Sequence, residues 1–247
     1  MKNYITEFIG TFFLVLAIGL TGNPLAIGVM LMVMVYMGGH ISGAHYNPAV
    51  SIAMIFRGLL TTKEAVNYIL SQLVGAFLAA IFVQWVGGSA MQIAPNNSAS
   101  VMQILAVEAI FTFALVLVIL NVATNPKTEG NSYYGLAIGF TVMAAAYAGG
   151  GISGGAYNPA VGTGPILVDV IMGDGNTLSN LWYYLVGPMI GAVISCCDDS
   201  HPSAIWEIDL FRVWASDSSK STNKKFLSVI YFCVLFALTL LGRGLLV

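Results

Sequence analysis

Asn47-Pro48-Ala49 and Asn158-Pro159-Ala160 are the residues of this chain best suited to handling a small polar molecule. An asparagine amide offers two N–H donors and a carbonyl acceptor without carrying charge. Asn also caps helix starts, and Pro at the first helical position gives up only an N–H that has no partner there. Each tripeptide therefore opens a helix sharply and leaves an amide at its tip. The surrounding segment repeats: Ile41-Ser-Gly-Ala-His-Tyr-Asn-Pro-Ala-Val50 matches Ile152-Ser-Gly-Gly-Ala-Tyr-Asn-Pro-Ala-Val161 at eight of ten positions, 111 residues later. One Asn-Pro pair would merely cap a helix or mark a turn. Two copies, each opening a short apolar segment, ask for more.

The elements that must position these tips are membrane helices. Of 247 residues, 57% are hydrophobic and 8% charged, whereas a soluble domain carries about 25% charged residues. A helix crossing the hydrocarbon core needs about 20 mostly apolar residues. Six segments satisfy this, at 4–20, 25–39, 64–86, 102–122, 133–149 and 178–197. Two shorter pieces, 48–56 and 159–170, each follow a Gly-rich turn and begin at Pro48 and Pro159. About ten residues reach about 15 Å, half the core, so these are half-helices.

Other fragments repeat as well. Glu7-x-x-x-Thr11-Phe12 recurs as Glu108-x-x-x-Thr112-Phe113, and Leu73-Val-Gly75 as Leu185-Val-Gly187. Each half reads helix, helix, half-helix, helix. Three spans per half is odd, so the second copy enters from the opposite face. Inverted repeats of this kind place their selective site near the midplane. The expected fold is an all-α membrane bundle of six spans and two re-entrant half-helices over residues 1–200, with repeat one at about 1–90 and repeat two at about 100–200. Residues 201–247 form a tail. Its apolar stretch 226–241 is a seventh span, a surface helix or a segment that does not fold here, and Asp198-Asp199 arrive about a turn early for the sixth span.

Before position 200 the Lys and Arg residues are Lys2, Arg57, Lys63 and Lys127. All four fall on one side if the N-terminus is cytoplasmic, which satisfies the positive-inside rule. The two half-helices then meet tip to tip, each aiming about half a positive charge at the midplane beside an Asn amide. Water can accept from both amides there. An unbroken proton wire and a cation are both disfavoured.

Glu7 and Glu108 lie inside spans, where an ionisable group is expensive and usually functional. A proton relay would need a chain of such groups. His45 lacks a second ligand at metal spacing and is expected to pack a loop, as is His40. Cys196, Cys197 and Cys233 show no metal or CxxC spacing and are read as reduced thiols. A net charge of −2 gives no case for nucleic acid. With no nucleophile–base set, metal cluster or phosphate loop, neither an enzyme nor a cofactor is expected.

The segments Ser42-Gly-Ala-His-Tyr-Asn-Pro-Ala-Val50 and Ser153-Gly-Gly-Ala-Tyr-Asn-Pro-Ala160, with Gly164-Pro165 and Gly187-Pro188, resemble the signature loops of the aquaporin/aquaglyceroporin (major intrinsic protein) family. The resemblance covers roughly residues 4–195. It implies a right-handed bundle assembled as homotetramers, one pore per subunit, in a multi-pass (plasma) membrane protein that passes water and small uncharged solutes such as glycerol, urea or ammonia. It also implies that Glu7 and Glu108 hold the re-entrant loops by accepting backbone N–H groups. The family's narrower outer filter, matched by spacing from the two Asn residues, falls on Ile27, Ala146, Gly155 and Val161. Most members have Arg where this chain has Val161, and neither the water-type nor the glycerol-type residue set is present. A wider, more apolar filter is expected. Two rivals remain at this stage, an ion-coupled carrier and a non-conducting membrane protein. Gly135-x-x-x-Gly139 and Gly187-x-x-x-Gly191 permit close helix contact.

Overall fold

Capping chemistry sets the helix limits in the computed structural model, which describes residues 1–196. The tail, the 226–241 stretch, Cys197 and Cys233 lie outside the described residues. Among these the α-helices are α1 (Lys2–Thr21), α2 (Pro24–Ser42), α3 (Pro48–Phe56), α4 (Thr62–Gly87), α5 (Val101–Ala123), α6 (Tyr134–Ser153), α7 (Pro159–Met172) and α8 (Leu181–Ile194). Asn23 starts α2 by accepting from Leu25 and Ala26 N–H, with Pro24 at the first position. Reciprocal capping boxes start α4 (Thr61 with Glu64) and α5 (Ser100 with Gln103). Helices α1, α2, α4 and α6 stop where Gly22, Gly43, Gly88 and Gly154 turn left-handed.

Three helices differ instructively from expectation. Helices α2 and α6 run through Gly39 and Gly149 to Ser42 and Ser153, because backbone groups at membrane depth need partners and the helix supplies them. Helix α8 is shorter than the expected sixth span. A 3₁₀ turn, Leu178–Asn180, replaces its first residues and Ser195 closes it, leaving 14 helical residues or about 21 Å. Among the described residues five helices are long and apolar enough to cross a membrane, with mean hydropathy from 1.5 to 2.5. On α4, Val66, Leu70, Val74, Leu78 and Phe82 form an exposed stripe at four-residue spacing. Lipid is the solvent in which such a stripe is stable.

The packing obeys the internal repeat. Helix α1 contacts α2 and α4, and their counterparts match, α5 contacting α6 and α8. The two halves join where α2 meets α6, α4 meets α7 and α3 meets α8. At the first junction Gly28 and Gly139, equivalent positions of the two repeats, lie face to face. A Cβ on Gly28 would sit 2.6 Å from the Gly139 carbonyl oxygen, and one on Gly139 would strike the Gly28 carbonyl. Similarly, a Cβ on Gly191 would strike the Ala109 carbonyl across α5–α8. Backbone cannot yield as a side-chain end can, so Gly139→Leu should cost more than the about 1–3 kcal/mol of ordinary overpacking. Thermal unfolding in detergent should show a clear drop in midpoint for Gly139→Leu. Gly151→Ala, which meets nothing within 4 Å, should show little.

Candidate functional site

Helices α3 and α7 each begin at a buried asparagine in extended conformation. Asn47 Oδ1 accepts from Ala49 N–H and Asn158 Oδ1 from Ala160 N–H, both at 2.9 Å. That cap fixes which way each amide nitrogen points. The nitrogens then cross between repeats: Asn47 Nδ2 donates to the Tyr157 carbonyl at 3.0 Å, and Asn158 Nδ2 to the Tyr46 carbonyl at 2.8 Å. Each amide nitrogen carries two hydrogens, so one on each remains for a visitor. Both side chains line the same cavity. The positive ends of two helices and two spare N–H donors thus converge.

Holding these tips requires strained backbone. Tyr46 and Tyr157 have φ of 48° and 49°, a left-handed conformation that costs a non-glycine residue about 1–2 kcal/mol. Each is fastened at three points. The N–H donates to Glu7 Oε2 or Glu108 Oε2 at 2.7 Å, the carbonyl accepts from the opposite Asn, and the hydroxyl donates to the Met34 or Ala145 carbonyl. The two glutamates are fully buried and fully used. Glu7 accepts from Ser42 Oγ, His45 N–H, Tyr46 N–H and Gln72 Nε2. Glu108 accepts from Ser153 Oγ, Ala156 N–H and Tyr157 N–H.

The two repeats brace their loops differently. In repeat one, His45 Nδ1 lies 3.0 Å from Ser51 Oγ, and Gln72 Nε2 donates to the same hydroxyl at 3.0 Å. The His45 ring also packs 5.1 Å from that of Tyr68, whose hydroxyl donates to the Ser42 carbonyl. In repeat two, Ala156 stands for His45, Gly162 for Ser51 and Tyr184 for Gln72. The Tyr184 side chain occupies the room that Gly162 leaves, and its hydroxyl donates to the Ser153 carbonyl at 2.7 Å. Gln72 and Tyr184 escaped sequence reasoning. Their signal is position: each directly precedes a repeated Leu-Val-Gly.

Two cavities lie along the re-entrant loops, and the first reaches the tips. One, of about 770 Å³, opens where α1 turns into α2, between Thr21 and Pro24 and the 87–93 segment. It passes Ile27, Ala146, Gly155 and Val161 and reaches Asn47 and Asn158. All four spacing-matched positions therefore share one wall, together with His45. None of their side chains offers a hydrogen bond. The other, of about 520 Å³, opens between α5 and α6, where Thr124, Asn125, Glu129 and Asn131 form its rim. Glu7 and Glu108 line neither.

These features define a helical membrane bundle with a cavity that reaches a pair of half-helix tips. The chain belongs to the major intrinsic protein family, whose pattern matches residues 1–197. A glycerol uptake facilitator protein-like 6 from Lactiplantibacillus plantarum is 36% identical over 216 residues, covering 79% of this chain and 95% of that protein. Aquaporin NIP1-1 of Zea mays is 35% identical over 78% of this chain and 72% of its own length. The X-ray structure of the aquaglyceroporin from Plasmodium falciparum superposes with a TM-score of 0.70 at 28% identity, covering 79% of this chain and 93% of that one.

Proposed function

We propose that this chain is a passive channel for water and small uncharged solutes, glycerol-sized ones included, which excludes protons and cations at the Asn47–Asn158 pair. The observation that carries the reading is the pair of amide nitrogens, each with one hydrogen spent on the opposite repeat and one free, lining a common cavity at two helix N-termini. A solute oxygen there accepts from both sides while the positive field repels cations. The family, the facilitator relative and the aquaglyceroporin likeness support the same class of cargo. A coupled carrier would need a chain of titratable groups through the lumen, whereas the two buried glutamates stand behind it, committed to loop and side-chain donors, and the His45 ring on its wall is paired with Ser51. Proteoliposomes containing the chain should shrink faster than empty vesicles under an osmotic step. Equal rates would defeat the reading.

The outer ring of this channel is Ile27, Ala146, Gly155 and Val161, wide and aliphatic. Val161→Arg inserts a long cation into the first turn of α7, where Val161 faces the cavity. Glycerol flux should fall at least about fivefold, with water falling less, since pore diameter and charge set selectivity. An unchanged glycerol-to-water ratio in stopped-flow light scattering would refute the filter assignment. The N-terminus and the α5–α6 mouth face the cytoplasm, as the positions of Lys2, Arg57, Lys63 and Lys127 favour. The working unit is a homotetramer in the plasma membrane, with residues 1–200 as the channel region and 201–247 as an appended tail. Mass measurement in detergent checks the assembly.

A further inference from the structure

The two cavities share three wall residues, Ala44, Ile119 and Ile138, and no others. The cavity from the α1–α2 mouth runs uninterrupted past the four filter positions to the Asn pair. The lumen divides only beyond that pair, toward the α5–α6 mouth. We propose that the narrowest, selectivity-setting point of this lumen is an aliphatic collar of Ile119, Ile138 and Ala44 on the α5–α6 side of the Asn pair, not the ring of Ile27, Ala146, Gly155 and Val161. This rests on the channel reading above and names the part of the channel that sorts solutes by size.

The internal repeat explains why the collar is there. Helices α2 and α6 end at equivalent serines, Ser42 and Ser153, and the loops after them belong to the repeated decapeptide. Counting back from those serines pairs Ile27 with Ile138 and Ala146 with Val35. Counting forward pairs Gly155 with Ala44, and Val161 with Val50. Two of the three collar residues, Ile138 and Ala44, are therefore images of filter residues in the inverted half. Ile faces Ile and Val pairs with Val, but Ala44 adds a methyl where Gly155 has only hydrogen. Val35, on the wall of the α5–α6 cavity, adds two carbons over Ala146. With the same backbone plan and larger side chains, the image ring must be the tighter of the two. Ile119 of α5 completes the junction, as its counterpart Ile18 of α1 lines the outer cavity. No polar side chain belongs to the shared wall, so a solute leaving the Asn pair finds hydrogen-bond partners there only in backbone groups and water. Water has the least to lose there and a polyol the most.

Symmetry also supplies the test. Ile138→Ala and Ile27→Ala make the same chemical change at paired positions. Ala44→Gly removes one methyl at a residue with φ of 52°, a conformation that glycine adopts more readily, so backbone strain does not oppose this variant. Stopped-flow light scattering on proteoliposomes of equal protein content gives glycerol and water permeability for each. Ile138→Ala is expected to raise the glycerol-to-water ratio at least about threefold and Ala44→Gly to raise it in the same direction, both more than Ile27→Ala does. An Ile27→Ala rise equal to or above that of Ile138→Ala, or collar variants at the wild-type ratio, overturns the collar while leaving the channel intact. Wild-type vesicles no faster than empty ones overturn the channel reading itself.

Discussion

Glu7→Leu is expected to prevent the first re-entrant loop from forming, with loss of both folded protein and water flux. Four donors converge on this carboxylate, two of them backbone N–H groups of a loop with no helix of its own to satisfy them. A buried donor left without a partner costs about 1–3 kcal/mol, so four amount to about 4–12 kcal/mol. That compares with the whole stability of a typical fold, about 5–15 kcal/mol. The left-handed Tyr46 loses one of its three fastenings at the same time. Glu108→Leu removes three donors' acceptor rather than four and should be somewhat milder. Glu7→Gln keeps one oxygen but turns an amide N–H₂ toward two donors, and should fall between wild type and Leu. Gel filtration and thermal unfolding in detergent give this ordering. A Glu7→Leu protein with wild-type melting and flux would show that the loop is held by something else.

The second large effect concerns charge at the tips. Replacing both Asn47 and Asn158 by Asp keeps the oxygen that caps each half-helix and removes the nitrogen that donates across the repeats. Each helix terminus contributes about half a positive charge, and each ionised Asp contributes a full negative one, so the sign of the field at the tips reverses. Proton entry into vesicles under a potassium–valinomycin potential, read by an internal pH dye, should rise at least about tenfold over wild type. If the double variant still conducts water and remains proton-tight, the barrier lies elsewhere in the lumen.

The same interactions separate what could be read in the sequence from what could not. The start of each half-helix was legible because Asn followed by Pro is a local signal, and α3 begins and ends where its residues indicate. The helix ends of α2 and α6 were not, because Gly39 and Gly149 look like stops. Only the need for backbone partners at membrane depth carries these helices on to Gly43 and Gly154. Glu7 and Glu108 stood out as charges in apolar runs, whereas Gln72, which donates to Glu7, did not, since a polar residue on one face of a long helix has many innocent uses. The left-handed Tyr46 and Tyr157 have no sequence signature at all. Their conformation is imposed by three long-range hydrogen bonds each, which exist only once both repeats are in place. Spacing from the Asn residues brought Ile27, Ala146, Gly155 and Val161 to one wall, yet could not reveal that the lumen divides at Ile119, Ile138 and Ala44 instead. The short α8 likewise depends on how the chain enters the bundle through Leu178–Asn180.

Purified protein in liposomes carrying an internal pH dye, given an osmotic step and a proton gradient together, reads both properties of the Asn pair at once. Volume should fall faster than in empty vesicles while internal pH stays at the lipid baseline. Shrinkage at the lipid's own rate, or shrinkage accompanied by proton entry, would contradict a lumen in which two half-helix tips pass neutral molecules and turn back charge.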